Sequence, residues 1–337
     1  MEKKLGARTY RLPSCPAVVS YASAVGKKEG EGPLGKRFDQ IFPDTKMGES
    51  TWEKAESAFQ KAACGKALEK AGLSAGALDL LLAGDLLNQC IGTTYAARET
   101  AAPFFGLYGA CSTMGEGLAL ASMTLDGGFG EWAAVVVSSH FCTAERQYRT
   151  PLEYGGQRTP TAQWTVTGAG AAILAREGPG PYVTHCTLGK ITDKGITDTN
   201  NMGAAMAPAA YATLTAHFQD TGRGPDYYDL IVTGDLGKLG RELLLELFRQ
   251  DGVDLSTNHN DCGLMIFDLE NQDVHCGGSG CGCSASVLTG YLLNGMREDR
   301  WKNILFCPTG ALHSPTSAFQ GESVPGICHA IAISAVK

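Results

Sequence analysis

The sequence has no run of 18 apolar residues, so no helix within it is expected to cross a membrane. It has no dense basic cluster either. Lys and Arg total 28 against 35 Asp and Glu, a net charge of −7, and the basic residues gather no more closely than Lys27-Lys28 and Lys36-Arg37. That argues against a nucleic-acid groove and against intrinsic attraction to an anionic membrane leaflet. No apolar stretch of the secretory-leader type follows Met1. With 44% apolar and 19% charged residues the chain has the means to bury a core, which excludes disorder as its main state.

What is present is glycine and cysteine, 43 and 12 residues in a chain of 337. The length suits two domains or one duplicated unit. Without a leader, the cysteines read as reduced, mostly buried small hydrophobes. Along the chain, short apolar runs alternate with helical patterns. Residues 17–24, 78–83, 104–108, 132–139, 166–174, 182–188, 229–233, 304–307 and 329–336 read as strands. Helices are expected over 52–71, 112–125, 202–220, 241–250 and 284–296, the first opened by a capping box at Ser50-Thr51-Trp52-Glu53. Residues 141–162 read as a polar loop. The alternation predicts an α/β fold with parallel sheets.

An internal repeat organises these elements. Leu78-Asp79-Leu80-Leu81-Leu82-Ala83-Gly84-Asp85-Leu86 is matched by Tyr228-Asp229-Leu230-Ile231-Val232-Thr233-Gly234-Asp235-Leu236. Cys111-Ser112 opens a helix with His140 29 residues after the cysteine, and Cys283-Ser284 opens another with His313 30 residues on. The two halves are expected over 1–175 and 176–337.

Cys111 follows a strand and precedes a helix, so its sulfur sits at a helix N-terminus, where the dipole favours a thiolate or a bound anion. Equally, it reads as a buried small hydrophobe in a tight turn. This turn, the duplication and Thr167-Gly168-Ala169-Gly170-Ala171-Ala172-Ile173-Leu174 resemble the thiolase-like superfamily, ketoacyl-carrier-protein synthases included. The resemblance implies a five-layered αβαβα sandwich built from two duplicated βα halves, with the cysteine at the start of the buried helix of the first half. Further stretches resemble one branch of it, the stage V sporulation protein AD family. Among them are Ala83-Gly84-Asp85-Leu86-Leu87-Asn88-Gln89, Gly109-Ala110-Cys111-Ser112-Thr113, Thr143-Ala144-Glu145-Arg146-Gln147, Glu153-Tyr154-Gly155-Gly156-Gln157 and His259-Asn260-Asp261-Cys262-Gly263. That resemblance implies a protein that binds dipicolinic acid (pyridine-2,6-dicarboxylate), free or with calcium. Its setting would be peripheral, at the inner membrane of the developing spore, beside membrane proteins of the stage V sporulation A operon. A homodimer is expected by the same analogy.

Acyl transfer in the superfamily needs His or Asn partners for the cysteine. The corresponding places here are Gly234-Asp235-Leu236 and Gly278-Ser279-Gly280-Cys281, which contain neither. A carboxylate there raises a neighbouring thiol's pKa. The expectation is therefore a binding protein without catalytic residues, its pocket lined by Cys111, Ser112, His140, Arg146, Asn88 and Asp235. Arg149 is a second candidate cation for the ligand's carboxylates. The alternative is an acyltransferase with Cys111 as nucleophile, assisted by His140 or His259. His275-Cys276-x4-Cys281-x-Cys283 lacks standard zinc spacing, and Asp193, Asp198 and Asn200 lack the order of a calcium loop. No resident metal or cofactor is expected.

Overall fold

The computed structural model describes residues 2–148 and 158–337. Ten strands carry the main sheet: β1 (Ala17–Gly26), β2 (Leu80–Gly84), β3 (Phe104–Leu107), β4 (Trp132–Ser139) and β5 (Gly168–Ala175), then β6 (Tyr182–Thr187), β7 (Leu230–Thr233), β8 (His259–Asp261), β9 (Asn303–Cys307) and β10 (Ala330–Ser334). Their spatial order is β3-β2-β4-β5-β1 followed by β6-β10-β9-β7-β8, the same sequence of elements read outward from the centre of the sheet. The repeat therefore survives as a two-fold pattern. At the centre, β1 and β6 share only the Tyr182–Ala17 pair.

The sheet is mixed rather than parallel. β2 pairs in parallel with β3 and β4, but β4–β5 and β5–β1 are antiparallel, as are β9–β10 and β10–β6. Apolar runs alone carry no strand direction, which is why the parallel expectation fails for the inner strands.

Six longer helical segments complete the layers: α1 (Trp52–Ala71), α2 (Thr113–Asp126), α3 (Phe141–Tyr148), α4 (Met202–Thr221), α5 (Gly237–Gln250) and α6 (Cys281–Val287), the last continuing through Leu288–Leu292 into Leu293–Arg297. α1 is capped by Thr51, not Ser50: the Thr51 hydroxyl accepts from the Lys54 N–H at 3.3 Å. Both α1 and α4 end at a glycine in the left-handed conformation, Gly72 and Gly222, each with φ 67°. The second buried helix opens at Cys281, two residues before the Cys283 that the spacing suggested.

Side-chain alternation along the strands assigns the layers. In β4, Ala133, Val135 and Val137 enter a central core with α2 and α6, while Ala134 and Val136 join Phe59 and Ala63 of α1 in an outer core. In β9, Ile304 and Phe306 face the centre, whereas Leu305 and Cys307 join Met206 and Leu214 of α4 in the other outer core. Three apolar cores, the central one packed on both faces of the middle helical layer, hold five layers together as the αβαβα sandwich. All twelve thiols are free. Among the described residues no helix is long and apolar enough to cross a membrane.

Candidate functional site: a cavity beside a buried thiol

Cys111 lies in the tight turn Ala110–Ser112 that leads from β3 into α2. Two hydroxyls tie this turn: Ser112 donates to the Gly109 carbonyl at 2.7 Å, and Thr113 donates to the Ala110 carbonyl at 2.6 Å. Gly310, from the second half, presses against it so closely that a Cβ there would stand 2.4 Å from the Gly109 oxygen. The turn is thus held by both halves.

Behind Cys111 stands Asp235, fully buried. Its carboxylate accepts from Ser279 Oγ at 3.1 Å, from the Gly280 N–H at 3.0 Å and from Thr309 Oγ1 at 3.0 Å. The Cys111 thiol hydrogen-bonds to the same carboxylate. Burial and then the Asp235 charge push the thiol well above its ordinary pKa. Burial raises Asp235 itself to about 7, against the opposing hydrogen bonds from Cys111 and Gly280. A helix N-terminus contributes about 0.3–1 kcal/mol towards an anion, less than a tenfold change in proton affinity. Burial and a contacting carboxylate outweigh it, so Cys111 is a thiol.

Cys111 and Ser279 reach the wall of a cavity of about 270 Å³. Tyr108, Tyr148 and His313 give that wall an aromatic side, and Leu86, Ala144, Met202 and Ala311 an apolar one. Gln163, Thr165, Thr199 and Asn200 are neutral and polar, and Glu145 is a carboxylate. Among the described lining residues there is no Lys or Arg. Tyr148 is anchored by its hydroxyl, which donates to the Leu86 carbonyl, and its ring meets His313 edge to face at 5.3 Å. The Gln163 amide nitrogen donates to the carbonyls of Asp235 at 2.8 Å and Gly278 at 2.9 Å, which fixes the 158–165 segment over the thiol.

The sequence-derived candidates divide. Cys111 lines the cavity and Asp235 touches it from behind. Ser112 is fully buried in the turn, its hydroxyl turned to Gly109. His140 is buried elsewhere, against Trp52 and Phe59, with Nε2 at 2.9 Å from the Thr45 carbonyl; burial lowers its pKa and keeps it neutral. Arg146 and Asn88 line a separate cleft of about 230 Å³. The reason is α3. Residues 141–148 form a helix rather than a loop, which sends Ala144, Glu145 and Tyr148 to the cavity and Thr143, Arg146 and Gln147 to the other side. Arg146 there pairs with Glu53, and the Asn88 N–H donates to Gln147 at 3.0 Å. Arg149 and Glu153 lie outside the described residues. His259 bonds Thr233 at 3.3 Å and does not line the cavity; burial lowers its pKa to about 3.

The other clusters diverge as well. Cys276 Sγ turns to the Pro160 carbonyl, Cys281 to that of Ser138 and Cys283 to that of Gly234, while His275 meets Asp273. Asp193 and Asp198 accept N–H groups from Gly195 and Asn200, ordinary turn bonds. Residues that the sequence reading missed in the wall are Tyr148, Gln163, Thr199, Asn200 and His313. His313 had a signal in its place in the repeat, and Asn200 stood out only in the comparison with a calcium loop.

Comparison with known proteins agrees with this geometry. The fold matches 3-oxoacyl-[acyl-carrier-protein] synthase III from Aquifex aeolicus, with a TM-score of 0.56, 12% identity, and coverage of 95% of this chain and 99% of that one. It also matches Xanthomonas campestris OleA with cerulenin, with a TM-score of 0.57, 16% identity, and coverage of 98% and 97%. At these identities the likeness concerns the fold. By sequence, the chain is 44% identical over 329 residues to stage V sporulation protein AD of Bacillus subtilis (strain 168), covering 98% of this chain and 97% of that protein. The family model for stage V sporulation protein AD matches residues 6–334. The chain belongs to the stage V sporulation protein AD family.

Proposed function

We propose that this sporulation protein binds dipicolinic acid in the cavity beside Cys111 and aids its passage into the developing spore. It would work at the inner membrane of the spore with membrane-embedded proteins of the same operon. The observation that carries this reading is that a buried carboxylate, not a base, stands against the thiol. With Asp235 against Cys111, the thiol is a poor nucleophile, yet the cavity in front of it is kept. Its volume, about 270 Å³, is close to the lower end of ligand pockets, about 300–1,000 Å³. Aromatic rings on one side and neutral polar groups on the other suit a small flat ring with polar ends. The described wall holds no Lys or Arg, and in this reading the charge of a dianion is met by a proton taken up or by calcium travelling with it.

Calorimetric titration with dipicolinate tests the proposal, once with calcium and once with a chelator. Isophthalate, which lacks the ring nitrogen, and acetyl-CoA are the controls. Saturable dipicolinate binding that persists in Cys111→Ala is the expected result. No dipicolinate heat, with a Cys111-dependent acetyl mass shift instead, overturns it.

A further inference from the structure

The cavity wall contains one basic side chain among its described residues, His313. It follows the short strand Thr309–Ala311, which forms part of the framework around Cys111. His313 Nδ1 is buried and has no hydrogen-bond partner. Closed off in this way, Nδ1 cannot meet a ligand in the cavity, and Nε2 is the ring nitrogen that a ligand can reach.

Several of the other polar lining groups are already engaged. The Tyr148 hydroxyl donates to Leu86, and the Tyr108 hydroxyl lies 3.3 Å from that of Tyr148. The Gln163 amide nitrogen is held by two carbonyls, and the Ser279 hydroxyl and Cys111 thiol both face Asp235. Thr159 pairs with Thr161 at 3.0 Å. Thr165, Thr199 and Asn200 are neutral and offset no charge.

We infer that His313 is the residue that holds a carboxylate of the bound aromatic acid, with the edge-to-face ring of Tyr148 beside it selecting a flat ligand. This rests on the dipicolinate reading and assigns the residue that fixes the ligand. Before binding, burial lowers the His313 pKa and the ring is neutral. A carboxylate placed against it favours the imidazolium, so binding draws a proton from solvent. The other titratable groups sharing the cavity are Tyr108, Cys111, Glu145 and Tyr148, with Asp235 behind Cys111. Burial raises Tyr108, Tyr148 and Cys111, which stay protonated near neutral pH. Asp235, at about 7, is the competing proton acceptor.

The test is dipicolinate titration with chelator present, at pH 7, in buffers of different ionisation enthalpy. The slope of the heat against buffer enthalpy counts protons taken up. The expected result is uptake in the unmodified protein and in Asp235→Asn, and its loss in His313→Gln and His313→Asn, with affinity weaker by about tenfold or more, as for a lost charge-assisted hydrogen bond. Thermal melts confirm that the variants fold. Unchanged affinity and uptake in both His313 variants, or uptake lost only in Asp235→Asn, overturns the role of His313 while leaving dipicolinate binding intact. No binding by the unmodified protein overturns both.

Discussion

The two Gly-Asp-Leu turns match in sequence and do different work. In the first half, Asp85 serves its own loop. One carboxylate oxygen accepts from the Leu87 N–H at 2.7 Å, and the other accepts from the Thr93 N–H at 2.6 Å and the Thr93 hydroxyl at 2.7 Å. Nearby, Glu56 takes the hydroxyls of Ser138 and Thr143. In the second half, Asp235 crosses to the other half's thiol, and loop-holding falls to Asp261, which accepts from the N–H groups of Leu236, Gly237 and Gly263. Both turns border the cavity, the first through Leu86 in its wall and the second through Asp235 behind Cys111, but only the second sets its carboxylate against the thiol.

The largest effect separating the halves should come from pH. Burial, then the Asp85 charge, raises Glu56 from 4.5 to about 8. Burial raises Asp235 from 3.8 to about 7. Each group keeps its proton in the folded chain where the unfolded chain has released it. The folded state therefore holds more protons across those windows, and its stability falls as pH rises through them. The contribution is complete below the unfolded values and lost above the folded ones. Urea unfolding should show a loss on the order of a few kcal/mol between pH 5 and 8.5, roughly 1.4 kcal/mol for each tenfold difference in proton affinity between the folded and unfolded chains. Glu56→Gln should remove the part that extends to pH 8, and Asp235→Asn the part that ends near 7. A flat profile in the unmodified protein would refute this.

A smaller contrast is expected from the two amide substitutions at neutral pH. In Asp85→Asn the new NH2 meets a backbone N–H whichever way it is turned, since both oxygens accept from nitrogen. Stability should drop by about 2–3 kcal/mol, the penalty of an unsatisfied buried donor. In Asp235→Asn the NH2 can face the Thr309 hydroxyl, which is able to accept, so the loss should stay within about 1 kcal/mol. The same change removes a negative charge from beside Cys111. Alkylation of Cys111 by iodoacetamide, followed by mass spectrometry, should then quicken by about tenfold or more. Equal melting temperatures for the two variants would erase the distinction between the turns.

The smallest effect should show where the halves remain alike. Asp79 accepts the N–H groups of Glu131 and Trp132 at 2.7 and 2.9 Å, and Asp229 those of Lys302 and Asn303 at the same distances. Both are exposed anchors at the start of a strand. Asp79→Ala and Asp229→Ala should each cost about 1 kcal/mol, and equally. A difference of several degrees between their melting temperatures would show divergence here too.

Sequence pattern carried much of the scaffold. Trp132–Ser139 forms a strand over the expected residues, and Trp52–Ala71 a helix over its own, because both lie in segments whose periodicity is set by burial. Cys111 at a helix start was legible from the strand before it, the helix after it and the small residues around it. The wall of the cavity was not. Tyr148 and Gln163 come from neighbouring segments and His313 from one about 150 residues further on, and nothing local to any of them records the meeting. His140 and Arg146 were misplaced for a related reason. A residue's proximity to a strand end does not say which side of the sheet it takes, and about two turns of helix at 141–148 decide it.

The two borders of the sheet differ in a way that bears on assembly. β8 is short, with His259 and Asp261 buried, whereas β3 leaves Phe104 38% and Phe105 62% exposed. β3 is bonded to β2 on one side alone, so its free backbone groups and two phenyl rings form an open border. When two such borders meet about a two-fold axis, each molecule uses the same surface and none is left over. A pair closed in that way would leave only the three-residue β8 edge of each molecule free along the sheet.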